Sequence, residues 1–290
     1  MSCDTVTTWR AYYELTKPRV VLLMLLTALV GMLLARPHLP PLSLMFFGLF
    51  GIGFASSGAA VINHLVDEQY DAKMQRTAQR PIPTGKIQTR QALVFAVILS
   101  TIGLGSLIIW VNWLTACLTF LSLIGYAVVY TLFLKHATPQ NIVIGGLAGA
   151  MPPLLGWCAI TNHIDPNALL LVLIIFVWTP PHFWALAIHR QKEYQKVSIP
   201  MLPVTHGIAY TKISILLYTI LLVPVSILPF IFGMTGKFYV LCTAIGDIGF
   251  LYWALKLLIG NHPATAVKTF RYSIWYLMIL FVVLLIDHYL

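Results

Sequence analysis

The sequence predicts an all-α integral membrane protein, a bundle of about nine transmembrane helices built as a single domain over residues 1–290. Three observations predict it. Hydrophobic residues make up 59% of the chain and charged ones only 9%, with a mean hydropathy of +0.85. Apolar runs near the ~20 residues that cross a bilayer recur along the whole length. The cations are also sorted between alternate connections, as topology requires in a membrane and not in a soluble fold.

The runs fall at about 20–35, 42–62, 91–110, 113–134, 141–160, 168–189, 213–233, 237–259 and 272–289. Residues 1–18 precede them and carry Trp9, Tyr12 and Tyr13 among charges, the composition of an interfacial amphipathic helix rather than a cleaved signal. With an odd number of spans the termini lie on opposite sides. If the N-terminus is cytoplasmic, only Arg36 and Lys237 of the 18 Lys and Arg residues lie outside. The positive-inside rule therefore places the N-terminus and the loops 63–90 and 189–212 in the cytoplasm, with the chain in the cytoplasmic (inner) membrane. These loops lie four helices apart, and a shift of 119 residues, from 81 to 200, brings Pro81-x-Pro83 onto Pro200-x2-Pro203. That spacing suggests an internal repeat of a four-helix unit with a cavity between the halves.

Cys3, Cys117, Cys158 and Cys242 are scattered without a C-x-x-C pair, so neither a disulfide framework nor a zinc site is expected. The net charge of +9 is explained by topology, and no nucleic-acid motif accompanies it. Histidines sit at loops or helix ends, apart from His182, so no midplane pair is available to clamp a haem permanently.

Only nine residues are acidic, and Asp67, Glu68 and Asp71 fall together where an apolar run ends. If that helix continues past Ile62, Asn63, Asp67 and Asp71 share one face at about 6 Å per step, and Glu68 points away. Hard oxygen donors on one face suit Mg²⁺, which takes one or two carboxylates plus substrate phosphates. Arg76, Arg80 and Lys86 follow at once, as a diphosphate would need; loop cations beside anionic lipid headgroups are the competing reading. Lys135 either joins them or is a topology charge. The second long loop opens with Trp178-Thr-Pro-Pro-His182-Phe-Trp184 and continues to Arg190, Lys192, Glu193 and Tyr194. His182, two turns inside the boundary, is either functional or a neutral hydrogen-bonded core residue. For Asp247, near the middle of its helix, function and hydrogen-bonded packing compete in the same way.

Asn63-x3-Asp67-x3-Asp71, running into Met74-x-Arg76-Thr77-x2-Arg80-Pro81, resembles the aspartate-rich motif of the UbiA-type intramembrane prenyltransferases. Leu15-Thr-Lys-Pro-Arg-Val20, the run from Asn141 to Pro153, and Thr179-Pro-Pro-His-Phe-Trp184 followed by Pro200-Met-Leu-Pro203 are similar, more narrowly, to the haem-directed branch, the protohaem IX farnesyltransferases or haem O synthases. The resemblance runs from about residue 10 to 210. It implies a nine-helix bundle transferring farnesyl from farnesyl diphosphate to a vinyl group of protohaem IX, with haem as substrate rather than fixed cofactor. Haem O would then pass to terminal oxidase assembly or a haem A synthase. It further implies that Asn63, Asp67 and Asp71 hold Mg²⁺ and diphosphate, with Arg76, Arg80 and Lys135 beside them. His182, Arg190, Glu193 and Tyr194 are then candidates to meet the acceptor. Many relatives carry a second aspartate-rich motif on the other loop; here Glu193 is its only acid, as in the haem-directed branch. A prenyltransferase for a quinone-precursor ring and, from another class, a secondary transporter are the alternatives that remain.

Overall fold

The computed structural model describes residues 2–260 and 262–290, and every regular element among them is helical. The chain starts with α1 (Ser2–Leu15) and α2 (Pro18–Leu34), which meet at a bend of 49°. At the joint Lys17 has left-handed backbone angles (φ 49°), and Pro18 then opens α2, where its missing N–H costs nothing. On α1, Ala11 and Leu15 are buried while Trp9 and Tyr13 are exposed, the amphipathic division expected of this segment.

Next come α3 (Leu42–Val66), the single turn α4 (Glu68–Asp71), α5 (Thr89–Trp110) and α6 (Trp113–Ile124). The chain of α6 continues as a π-helical stretch, Gly125–Leu134, and ends in α7 (Lys135–Ala137), so that residues 113–137 form one span. Another span is broken at Met151, just before Pro152-Pro153, into α8 (Asn141–Ala150) and α9 (Pro152–Thr161). Then follow α10 (Pro166–His189), the short α11 (Gln191–Lys196) and α12 (Leu202–Thr205), and three long helices, α13 (Gly207–Ile231), α14 (Lys237–Ile259) and α15 (Pro263–Tyr289). Among the described residues eight helices are long and apolar enough to cross a membrane, and the bent α1–α2 pair makes a ninth if counted as one span.

The helix before the loop 63–90 does continue past Ile62, since α3 runs to Val66 and α4 follows. Two expectations need correction. The loop 189–212 is shorter than expected, since α13 begins at Gly207. The Trp178–Trp184 motif lies wholly inside α10, with Pro180 and Pro181 in mid-helix, rather than opening a loop.

Lipid supplies no hydrophobic drive between helices, so close approach of small residues does the work. A side chain at Gly31 of α2 would collide with the Pro153 carbonyl of α9, and one at Gly156 of α9 with the Ala28 carbonyl of α2. Likewise, a Cβ at Gly103 of α5 would lie 2.6 Å from Ala55 N on α3. Around these contacts α2 packs on α9, α3 on α5, and α10 on α13 and α15. The largest core joins α9 and α10 to α14 and α15 through Trp157, Trp178, Tyr239, Phe250 and Phe281. A second core lies at the loop end, where Met74 is buried with Trp184, Val197, Ile199 and Met201. That core docks the two long loops onto each other. Cys117, Cys158 and Cys242 are free thiols, and the side chain of Cys3 lies outside the described residues.

Candidate active site

The acidic face is built by continuing a helix. Asp67 N donates to Asn63 O at 3.0 Å, and Asp71 N to Asp67 O at 2.8 Å, so the i, i+4 hydrogen-bond line carries from α3 into α4. Asn63, Asp67 and Asp71 are all buried on that line. Glu68 turns away, half-buried, and accepts from the Thr89 hydroxyl at 3.4 Å.

Each member of the face meets a cation from a different element. Lys135 Nζ donates to Asp67 Oδ1 at 2.5 Å, Arg80 donates to Asp71 Oδ2 at 2.5 Å, and Lys17 Nζ donates to Asn63 Oδ1. Lys135 reaches inward because the π-helical stretch resets the face of its span. Within that stretch Thr131 donates to Tyr126 O at 2.7 Å, and its hydroxyl in turn accepts from Asn63 Nδ2 at 3.3 Å. Asn141, at the start of α8, holds the other side by donating to Lys135 O at 3.2 Å. The turn after α4 is fixed by Thr77, fully buried, whose hydroxyl donates to Asp71 O at 3.0 Å. Buried carboxylates survive here because each has its counter-charge; removing one partner of such a pair typically costs about 3–5 kcal/mol.

The second loop closes over this face. Tyr194 of α11 is partly buried and feels Arg190, Arg76, Glu193 and Asp67, with burial pushing its phenol up, so it stays a neutral donor. Tyr126 and Tyr130 of the π-helical stretch stack at 5.8 Å. Tyr70 stacks on His136 at 4.3 Å on the neighbouring side. The result is a polar floor of Asn63, Asp67 and Asp71 under aromatic walls.

Not every expected residue joins it. Arg76 is exposed and turned to the second loop, where Arg190, Tyr194 and Glu193 act on it together with Arg80 of its own loop. Lys86 is exposed and makes no ion pair among the described residues. His182 is held in the bundle: Nδ1 lies 2.7 Å from the Ser273 hydroxyl of α15, and the ring stacks on Trp178 at 4.2 Å and lies 4.6 Å from Phe270. Its neighbours are aromatic or neutral, unlike those of Arg190 and Tyr194. Conversely, Lys17, Thr131, Asn141, Tyr126 and Tyr130 reach the site without having been singled out for it. Lys17 and Asn141 do stand in motifs that the sequence offers, but no spacing ties either to Asn63 or Lys135.

Among the described residues no three acids, histidines or cysteines converge as a complete ligand set. The donor set nonetheless fits a divalent cation of the Mg²⁺ type, which needs only one or two carboxylates when phosphate oxygens complete its shell. Asp67 and Asp71 each engage one carboxylate oxygen with a cation, and among the described residues neither second oxygen makes a side-chain hydrogen bond.

Comparison with known proteins places the chain. The model of the UbiA prenyltransferase family matches residues 24–283. The chain is 61% identical over 282 residues to "Protoheme IX farnesyltransferase 2" of Pseudoalteromonas atlantica, covering 97% of this chain and 92% of the relative. It is 62% identical over 281 residues to the protoheme IX farnesyltransferase of Legionella pneumophila, covering 97% and 96%. Among solved structures, a digeranylgeranylglyceryl phosphate synthase superposes with a TM-score of 0.82 at 20% identity, covering 98% of this chain and 99% of that one. A UbiA homolog from Archaeoglobus fulgidus bound to DMAPP and Mg²⁺ superposes at 0.66 with 16% identity, covering 94% and 98%. The shared fold, the family match and the extent of identity lead to one conclusion: the chain is a multi-pass membrane enzyme that belongs to the UbiA prenyltransferase family.

Proposed function

We propose that this enzyme transfers the farnesyl group of farnesyl diphosphate to a vinyl group of protohaem IX and adds water, giving haem O. The observation that carries the reading is the buried face of Asn63, Asp67 and Asp71, each already matched to a cation at the end of the bundle where the two loops meet. The names of relatives about 60% identical over nearly the whole chain support the haem acceptor over a quinone-precursor ring.

Asp67, Asp71 and Asn63 would hold Mg²⁺, which when bound supplies positive charge to the departing diphosphate; the Archaeoglobus fulgidus homolog with DMAPP and Mg²⁺ supports this. Lys135, Arg80 and Lys17, which face these three side chains, would then be available to the phosphate oxygens, so charge would stay balanced in a poorly solvated site. The allylic C–O bond breaks, and its electron pair leaves with the diphosphate. The terminal vinyl carbon of protohaem then gives its π pair to the farnesyl cation. A C–C bond forms, and positive charge remains on the carbon beside the porphyrin ring. Water adds there and loses a proton, leaving a hydroxyethylfarnesyl side chain. The tyrosine walls exclude solvent while the cation exists. Arg190, Glu193 and Tyr194 would meet the acceptor, and His182 would support α10 from the core side.

The excess of Lys and Arg at this end supports a cytoplasmic site, an N-terminus on the same side, and the cytoplasmic membrane as location, with residues 1–290 as one domain. Incubating purified protein with protohaem, Mg²⁺ and farnesyl diphosphate, and weighing the haem by mass spectrometry, tests the reading. Haem heavier by one farnesyl group and one hydroxyl is expected; haem of unchanged mass would remove the assignment.

A further inference from the structure

One corner of the loop end is left unused by diphosphate chemistry. Lys17, Arg80 and Lys135 already face the oxygens of Asn63, Asp71 and Asp67, while Arg76 and Arg190 face neither carboxylate of that floor. The two arginines come from opposite loops, Arg76 from the turn after α4 and Arg190 from the end of α10. Burial of Met74 against Val197, Ile199 and Met201, flanked by Tyr70 and Tyr194, fixes those loops against each other.

The Tyr194 amide donates to Arg190 O at 3.3 Å, and Tyr194 packs on the same core as Met74, two residues before Arg76, so exposed Arg76 and half-buried Arg190 flank Tyr194 at one corner of the docked loops. Among the described residues the ion pairs are Arg80–Asp71, Lys135–Asp67 and His163–Asp165, so neither Arg76 nor Arg190 has a carboxylate within reach. Glu193, the acid of this corner, is not within salt-bridge distance of either. Two neighbouring guanidinium groups repel each other unless an anion lies between them, and their planar forks suit a carboxylate in particular.

We propose that Arg76, Arg190 and the Tyr194 hydroxyl form a carboxylate subsite that takes a propionate of the porphyrin acceptor, apart from the diphosphate subsite on Asn63, Asp67 and Asp71. The inference rests on protohaem being the acceptor, whose propionates are the other anions of the reaction. It reassigns Arg76 from the diphosphate to the acceptor. A propionate anchored between the loops leaves the porphyrin edge with its vinyl groups pointing toward the floor, where the farnesyl carbon is released.

The test compares protohaem IX with its dimethyl ester, in which both propionates are masked. Wild-type, Arg190→Gln, Arg76→Gln and Arg190→Lys proteins would be titrated with each porphyrin by absorbance, without farnesyl diphosphate, and separately with Mg²⁺ and inorganic pyrophosphate by calorimetry. The wild type should bind protohaem about tenfold or more tightly than the ester, the size expected for a charge-assisted hydrogen bond. Both Gln variants should lose that preference while keeping pyrophosphate affinity, and Arg190→Lys should recover part of it. Retained pyrophosphate binding shows that the variants are folded. If the wild type turns over protohaem but binds acid and ester equally, the subsite is refuted while the assigned reaction stands. Weakened pyrophosphate binding in the Gln variants would give both arginines to the diphosphate instead. A wild type that neither binds nor farnesylates either porphyrin would overturn both readings.

Discussion

The buried aspartates divide by the partners that satisfy them. Asp67 and Asp71 at the loop end are 4% and 1% exposed and are balanced by Lys135 and Arg80. Asp247 on α14 is equally buried at 4%, yet both its oxygens accept from neutral hydroxyls, Tyr276 at 2.7 Å and Ser226 at 2.8 Å. Tyr239 completes that network by donating to Ser226 O at 2.5 Å, and Tyr239 N itself donates to Asp287 at 3.0 Å. A carboxylate satisfied by cationic side chains can exchange them for a metal and a phosphate. One satisfied by packed hydroxyls has nothing to exchange, and its work is to lock α13, α14 and α15 together. An acid inside a membrane invites a functional reading by default, and the partner decides whether that reading holds.

The sharpest way to break the comparison is to neutralise one member of each set. Asp71→Asn or Asp67→Asn should lower turnover by about 10²–10³-fold or more, since charge stabilisation of the leaving group is lost, while folded protein still accumulates in the membrane. A steady-state assay beside a fluorescence-detected size-exclusion profile checks both halves. Lys135→Met comes next: Asp67 is left buried without its counter-charge, at about 3–5 kcal/mol, so thermal unfolding in detergent should move down together with activity. Asp247→Asn should cost less, about 1–3 kcal/mol, because the amide oxygen can still accept from one hydroxyl. Its turnover should stay within about twofold of wild type once corrected for folded protein; a loss as deep as that of Asp71→Asn would erase the distinction. Smallest of all is Glu68→Gln, whose exposed contact with Thr89 predicts a change within about 0.5 kcal/mol and unaltered affinity for pyrophosphate.

The bilayer makes the fold legible, because a membrane span must announce itself by length and apolarity. Each run read from sequence overlies a span, beginning with α2, although α13 at Gly207 and α15 at Pro263 begin well before their runs at 213 and 272. What stayed hidden was local: the bend at Lys17, the break at Met151 and the π-helical stretch at Gly125–Leu134 change direction or face without changing composition. The same divide runs through the site. Asn63, Asp67 and Asp71 share a face by helical period alone, so their spacing exposes them. Lys17 and Thr131 reach Asn63 from 46 and 68 residues away, and no periodicity encodes such a meeting. Arg76 and Arg80 look equivalent in sequence, four residues apart in a basic stretch. They separate only in space, because Thr77 ties down the turn and sends Arg80 to Asp71 while Arg76 meets the other loop.

The most direct measurement of the central claim is Mg²⁺-dependent release of diphosphate from farnesyl diphosphate in the presence of protohaem, taken side by side for wild type, Asp71→Asn and Asp247→Asn at matched amounts of folded protein. Release by wild type and Asp247→Asn, with none above background for Asp71→Asn, is the expected result. Equal release by all three, or loss confined to Asp247→Asn, would contradict it.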